Sequence, residues 1–287
     1  MRLQSLHSLG LPFLLFAILL EVIAWRLSRI DPHIELFFLN DTSLWYTRLP
    51  ETIQRWQIIA AGVIASALIF LFGEYMLLKF EKMEQRRNEA GTLITGFWNS
   101  AIWRALAHFF GTFTAFLLAA FFAECGKLSV GMLRPDFYYR CMGSSLPSTF
   151  HSEVFTSNSQ CSQSDVEFIL NGRKSFPSEH ACAGASFGWY LTLYILWNSW
   201  CIMESRPFVS ELLRMSSIVP FTFALWVGVT RITDHRQHHS SVVAGWLLGL
   251  LFATLLFVTT SLRLHRTTNK GNKEYNVLVP FSQETVQ

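Results

Sequence analysis

With 287 residues, 51% of them hydrophobic and only 15% charged, the chain is far from the ~25% charged composition of a soluble domain, and its apolar surplus has to face lipid. The net charge of +3 at pH 7 is mild, and the basic residues flank apolar runs instead of lining one polar face, which excludes a nucleic-acid partner. Apolar runs of about 20 residues recur along nearly all of the chain, so one polytopic bundle replaces the one or two soluble domains that the length would otherwise suit.

In chain order the runs lie at Leu9–Trp25, Ile58–Leu78, Ile102–Ala123, Ala181–Trp200, Leu212–Val229 and Val242–Leu262. They predict an all-α bundle of six transmembrane helices over residues 1–265. The first run has a weakly basic start and no small-residue cleavage site, so it reads as a retained span and not a signal peptide. An even count places both termini on one side. The short connector from Lys79 to Asn99, with Lys79, Lys82, Arg86 and Arg87, and the tail, with Arg263, Arg266, Lys270 and Lys273, read as cytosolic by the positive-inside rule. Connectors Leu27–Trp56, Glu124–Glu179 and Arg231–Ser241 then face outward. Asn40-Asp41-Thr42 fits that side as a candidate glycan acceptor. The polar segment 266–287 reads as a disordered cytosolic tail. Glu21 sits within an apolar run and is expected to face other helices; Glu74 either holds a structural partner or snorkels to a headgroup.

The five cysteines, Cys125, Cys141, Cys161, Cys182 and Cys201, include no close-spaced metal-type pair, so no metal site is indicated. Cys141 and Cys161 share one polar connector. They are either a disulfide, worth roughly 3 kcal/mol if that connector is extracytoplasmic, or two free thiols.

Three outward segments carry the chemistry. In ECGKLSVGMLRPD, Lys127 and Arg134 are seven residues apart, close to two helical turns, on a helix that Pro135 is expected to end. Two cations on one face suit a phosphate dianion, Arg as a fork and Lys as a point charge, or else serve as interfacial anchors. In KSFPSEHACAGAS, a helix start offers backbone N–H groups to an anion, Ser178 adds a hydroxyl, and His180 is placed either as a general acid or as a structural hydrogen bonder. In TRITDHRQHHSSVVAG, Arg231 supplies a third cation, while His235, Gln237, His238 and His239 crowd the entry of the last span. Such a cluster would also suit a pH sensor or a metal, although no second ligand set accompanies it.

These residues carry a resemblance to the lipid phosphate phosphatases of the type 2 phosphatidic acid phosphatase and vanadium haloperoxidase superfamily, over about Phe37 to Gly249. KLSVGMLRP matches the first motif in full. PSEH matches Pro-Ser-Gly-His except at Glu179, and TRITDHRQHHSSVVAG aligns without a gap with the third motif. The resemblance implies a six-span fold, no cofactor, a lipid phosphate ligand, plasma-membrane localisation and some self-association as a homo-oligomer. It also implies a clamp of Lys127, Arg134, Ser178 and Arg231 with His180 as leaving-group acid.

Two of the implied positions are substituted. The nucleophilic histidine aligns with Gln237, and the Asp that orients it aligns with Ser241. An amide nitrogen has no basic lone pair with which to attack phosphorus, and Glu179 adds a carboxylate beside the clamp, to be neutralised by Lys174 or Arg236. The residues therefore point to a protein that binds phosphatidate, lysophosphatidate or sphingolipid phosphates with impaired or lost phosphatase activity. The alternative is an active metal-independent phosphatase, releasing diacylglycerol from phosphatidate, with His238 as substitute nucleophile.

Overall fold

The computed structural model describes residues 10–34, 36–38, 41–86, 95–143, 154–155 and 161–278, with residues 80–86, 95–100, 154–155 and 265–278 as backbone only. Asn40 lies outside the described residues. The helices are α1 (Leu11–Leu27), α2 (Arg55–Arg86), α3 (Thr95–Val130), α4 (Phe137–Met142), α5 (Val166–Asn171), α6 (Glu179–Cys201), α7 (Pro207–Ser216), α8 (Ile218–Thr233) and α9 (His239–Leu278). A two-residue antiparallel pairing joins β1 (Phe37–Phe38) to β2 (Val154–Phe155).

Helix α6 is the axis of the bundle, with α2, α3, α7, α8 and α9 all packed against it, while α1 leans on α3. Its first turns, Ala181, Cys182, Ala183, Gly184 and Ala185, are small and buried, which lets neighbouring backbones come close and gain dispersion contacts that lipid tails would not supply. Gly245 of α9 approaches closely: a Cβ there would lie 2.3 Å from the Ser178 carbonyl oxygen. Replacing this glycine would push α9 off the start of α6.

Among the described residues, four helical segments are long and apolar enough to cross a membrane: Arg55–Lys79, Ala101–Val130, Pro207–Thr233 and His239–Leu264. On α9 the residues Leu247, Leu251, Leu255, Val258 and Leu262 are exposed, whereas Ala253, Leu256, Phe257 and Thr260 are buried. The spacing of three and four residues makes the exposed set one stripe. A stripe of that size is untenable in water, at about 1.5–3 kcal/mol per large apolar side chain, and is natural against lipid. The chain is an integral membrane protein. The run expected at Leu212–Val229 is divided between α7 and α8 at Ser217. Pro220 sits in the first turn of α8, where a missing N–H costs little but a continuous helix from α7 would lose a bond. Helix α9 continues past residue 265 to Leu278.

Inside the bundle Glu74 is buried and lies 2.7 Å from Arg104 as an ion pair not aligned as a hydrogen bond, and it accepts from the Tyr194 hydroxyl at 3.1 Å. Of the two readings of Glu74, the structural one holds: it ties α2 to α3 and α6.

At one end of the bundle the connectors interlock. Tyr46 N donates to Pro135 O (3.1 Å), Arg134 N to Gly172 O (2.8 Å), Ser175 N to Met132 O (3.0 Å) and Ser178 N to Ser241 O (2.9 Å). Phe37, Leu44, Leu133, Phe137, Cys141 and Ile169 form a small core of their own beneath these connectors, and Cys141 is joined there to Cys161 by a disulfide.

Candidate functional site

The site lies where α3 and α8 end and α6 and α9 begin. Helix α3 stops at Val130, five residues before Pro135, because Gly131 takes a left-handed φ of +67° and a Cβ there would meet the His33 carbonyl oxygen at 1.8 Å. The expected shared helical face is therefore corrected: Lys127 is on the last turn of α3, and Arg134 is in the loop beyond it. Arg134 is half-buried, its Nε enclosed with no hydrogen-bond partner. Burial, and then the nearby Arg140 guanidinium, push its pKa down to about 10, which still leaves it cationic.

Lys127 is almost wholly buried, and its ammonium donates to Glu179 at 2.7 Å and to Glu124 at 2.9 Å. Arg55, at the start of α2, pairs with the same Glu179. The partners expected for Glu179 are thus replaced: Lys174 donates instead to the Ser28 carbonyl oxygen at 2.8 Å, and Arg236 to that of Leu49 at 2.8 Å. Despite the cost of burial, Lys127 followed by Arg55 holds the Glu179 carboxyl well below the usual carboxylate range. Glu21 of α1 belongs to the same electrostatic neighbourhood and keeps one oxygen enclosed without a partner.

Ser178 caps α6, its Oγ accepting from Ala181 N at 3.4 Å; that contact uses a lone pair and leaves the hydroxyl proton available. His180 follows in the first turn, ahead of the apolar run that begins at Ala181, with Nε2 enclosed and unpartnered. Burial lowers its pKa to about 3, helped by Arg231 and, more weakly, by Arg134 and Lys127. Arg231, Arg134 and Lys127 thus all act on the charge of one imidazole, which stays neutral. Between the ordinary value of about 6.5 and the folded value of about 3 the unfolded chain binds more protons, so stability falls as pH drops through that window. His180→Asn is expected to flatten this part of the slope in thermal unfolding of the detergent-solubilised protein; an unchanged slope would mean that the ring is not held neutral.

Arg231 is buried at the end of α8, where it donates to the Ile53 carbonyl oxygen at 3.1 Å and pairs with Glu51 at 3.4 Å and Asp234 at 4.0 Å. Arg236 shares Glu51 at 3.5 Å. Asp234 in turn accepts from Thr52 N at 2.8 Å and Thr52 Oγ1 at 2.6 Å, which pins the 51–53 loop over the cation. The buried Ser175 hydroxyl donates to Gln237 Oε1 at 3.0 Å and lies 3.5 Å from Ser241 Oγ. Gln237 and Ser241 thus meet through one serine. The other members of the histidine-rich segment diverge: His235 points to the Thr47 carbonyl (3.3 Å) and Tyr46, while His239 is exposed. His238 is half-buried, and its carbonyl accepts from Val242 N at 3.2 Å in the opening of α9.

Sequence reasoning missed Glu51, Arg55, Glu124, Ser175 and Asp234 as neighbours of the site. Glu124 and Asp234 had a local signal, each three residues from its cation, Lys127 and Arg231, and Ser175 lies within KSFPSEHACAGAS; Glu51 and Arg55 come from a distant part of the chain and had none.

The model of the PAP2 superfamily matches residues 91–264. The chain is 28% identical over 233 residues to phospholipid phosphatase-related protein type 1 of Mus musculus, covering 78% of this chain and 70% of that protein. To phospholipid phosphatase 2 of Mus musculus it is 30% identical over 230 residues, covering 78% and 75%. Lipid phosphate phosphatase 2 of Arabidopsis thaliana is 30% identical over 148 residues, covering 52% and 49%. No solved structure matches the chain. A match over residues 91–264 takes in all three motif segments described above, and the chain belongs to the PAP2 superfamily as a divergent member of the lipid phosphate phosphatase family.

Proposed function

We propose that this protein binds lipid phosphate monoesters, of the phosphatidate, lysophosphatidate or sphingolipid phosphate type, at the site around His180, and that it has lost most or all phosphatase activity. In this reading six helices span the plasma membrane. Helices α1 and α6 join the four segments named above, both termini are cytosolic, and the site opens outward. Arg134 and Arg231 attract the phosphate, and Lys127 and the Ser178 hydroxyl donate to it. His180 is neutral without ligand and gains a proton when an anion offsets the surrounding cations. The names of the mouse and Arabidopsis relatives support a phosphorylated lipid as the ligand.

The observation that carries the loss of activity is the Ser175–Gln237 contact. The residue aligned with the nucleophile, Gln237, accepts from Ser175, which also lies beside Ser241, and its amide nitrogen cannot attack phosphorus at neutral pH. The protein purified in detergent is expected to release no phosphate from phosphatidate above the rate of a His180→Ala variant, while binding vanadate or phosphatidate. Phosphate release that His180→Ala abolishes would establish the alternative, an enzyme using His238.

A further inference from the structure

We propose that Glu179 is the charge selector of this site: its carboxylate holds one anionic position on Lys127 and favours a phosphate group bearing a single negative charge, such as a singly protonated monoester, over a dianion. The proposal rests on the reading of Arg134, Arg231 and His180 as the phosphate cradle, and it narrows the class of phosphate that the cradle accepts.

An ammonium has three donors. Two of those of Lys127 go to Glu179 and Glu124 at 2.7 and 2.9 Å, and the side chain is only 10% exposed. Lys127 therefore brings one remaining donor to the site but no uncompensated charge. Glu179 is not free to leave when a ligand enters, because Arg55 grips it from α2 and its backbone follows directly on the Ser178 cap. A phosphate that reaches the third donor of Lys127 lies against the Glu179 carboxylate, and the repulsion scales with the ligand charge. A monoester dianion meets it twice over; a diester, or a monoester carrying one proton, meets it once. Arg134, with its enclosed Nε, offers attraction to the ligand.

The test uses the full chain in detergent at pH 8, above the second phosphate ionisation near 6, with fluorescent short-chain phosphatidate as doubly charged probe and phosphatidylglycerol as singly charged probe. The native protein is expected to bind phosphatidylglycerol at least as tightly as phosphatidate. Glu179→Gln, which keeps the shape and removes the charge, is expected to shift the affinity ratio toward phosphatidate by at least tenfold. Thermal unfolding verifies that the variant is folded, and Glu179→Ala serves if it is not. A ratio that moves less than twofold in the Glu179 variants would overturn the selector role while leaving the cradle intact. Failure of both lipids to bind either form, with Arg134→Gln making no difference, would overturn the cradle itself.

Discussion

Gln237→His combined with Ser241→Asp is expected to raise phosphate release from phosphatidate by about tenfold, and the further change Glu179→Gly to raise it by about 10⁴-fold. The magnitudes follow from three terms. Restoring a covalent nucleophile recovers on the order of 10⁶ in rate where such deletions have been measured. A side chain introduced into a site not built for it is displaced by about 1 Å, which costs ~10². The Glu179 carboxylate, roughly 4 Å from a phosphate charge at an effective dielectric of 20, costs about 4 kcal/mol, or ~10³. The Ser175 hydroxyl, 3.0 Å from Gln237 Oε1 and 3.5 Å from Ser241 Oγ, is positioned to donate to the introduced carboxylate and so to offset its burial. Inorganic phosphate release by purified variants measures all three steps. No gain in the triple variant would show that residues 237 and 241 are not the nucleophile and orienting positions.

Arg231→Ala is expected to lower the unfolding free energy by about 3–5 kcal/mol, the usual cost of removing one partner from a buried ion pair. The guanidinium is 2% exposed and holds the Ile53 carbonyl, Glu51 and Asp234 together, so its loss leaves Asp234, 7% exposed, without its cation and loosens the loop that Thr52 anchors. Glu51 is 30% exposed and partly rehydrates, which puts the effect at the lower end of the range. Arg231→Lys keeps the charge but lacks the fork that reaches a carbonyl and a carboxylate together, and is expected to recover less than half of the loss. Thermal unfolding in detergent separates the variants. A loss under about 1 kcal/mol for Arg231→Ala would place this network among exposed, weakly coupled pairs.

What the sequence determined by itself was whatever local pattern encodes. The membrane class and the presence of long helices over Ile58–Leu78, Ile102–Ala123 and Val242–Leu262 follow from runs of apolar side chains. The family follows from KLSVGMLRP, PSEH and TRITDHRQHHSS, whose members sit within a dozen residues of one another. Pairings across the chain were not legible in this way. Lys127 finds its counter-ion 52 residues away, Ser175 finds Gln237 at 62 and Arg231 finds Glu51 at 180. Nothing in the local pattern distinguished Lys174 or Arg236 from Lys127 and Arg55 as partners of Glu179, because a carboxylate attracts every cation alike. Only the packing of α2, α3 and α6 around the capped start of α6 decides which of them arrives. The same holds for the end of α3: Pro135 announced a stop, but the close approach of His33 to Gly131 placed it five residues earlier and moved Arg134 off the helix.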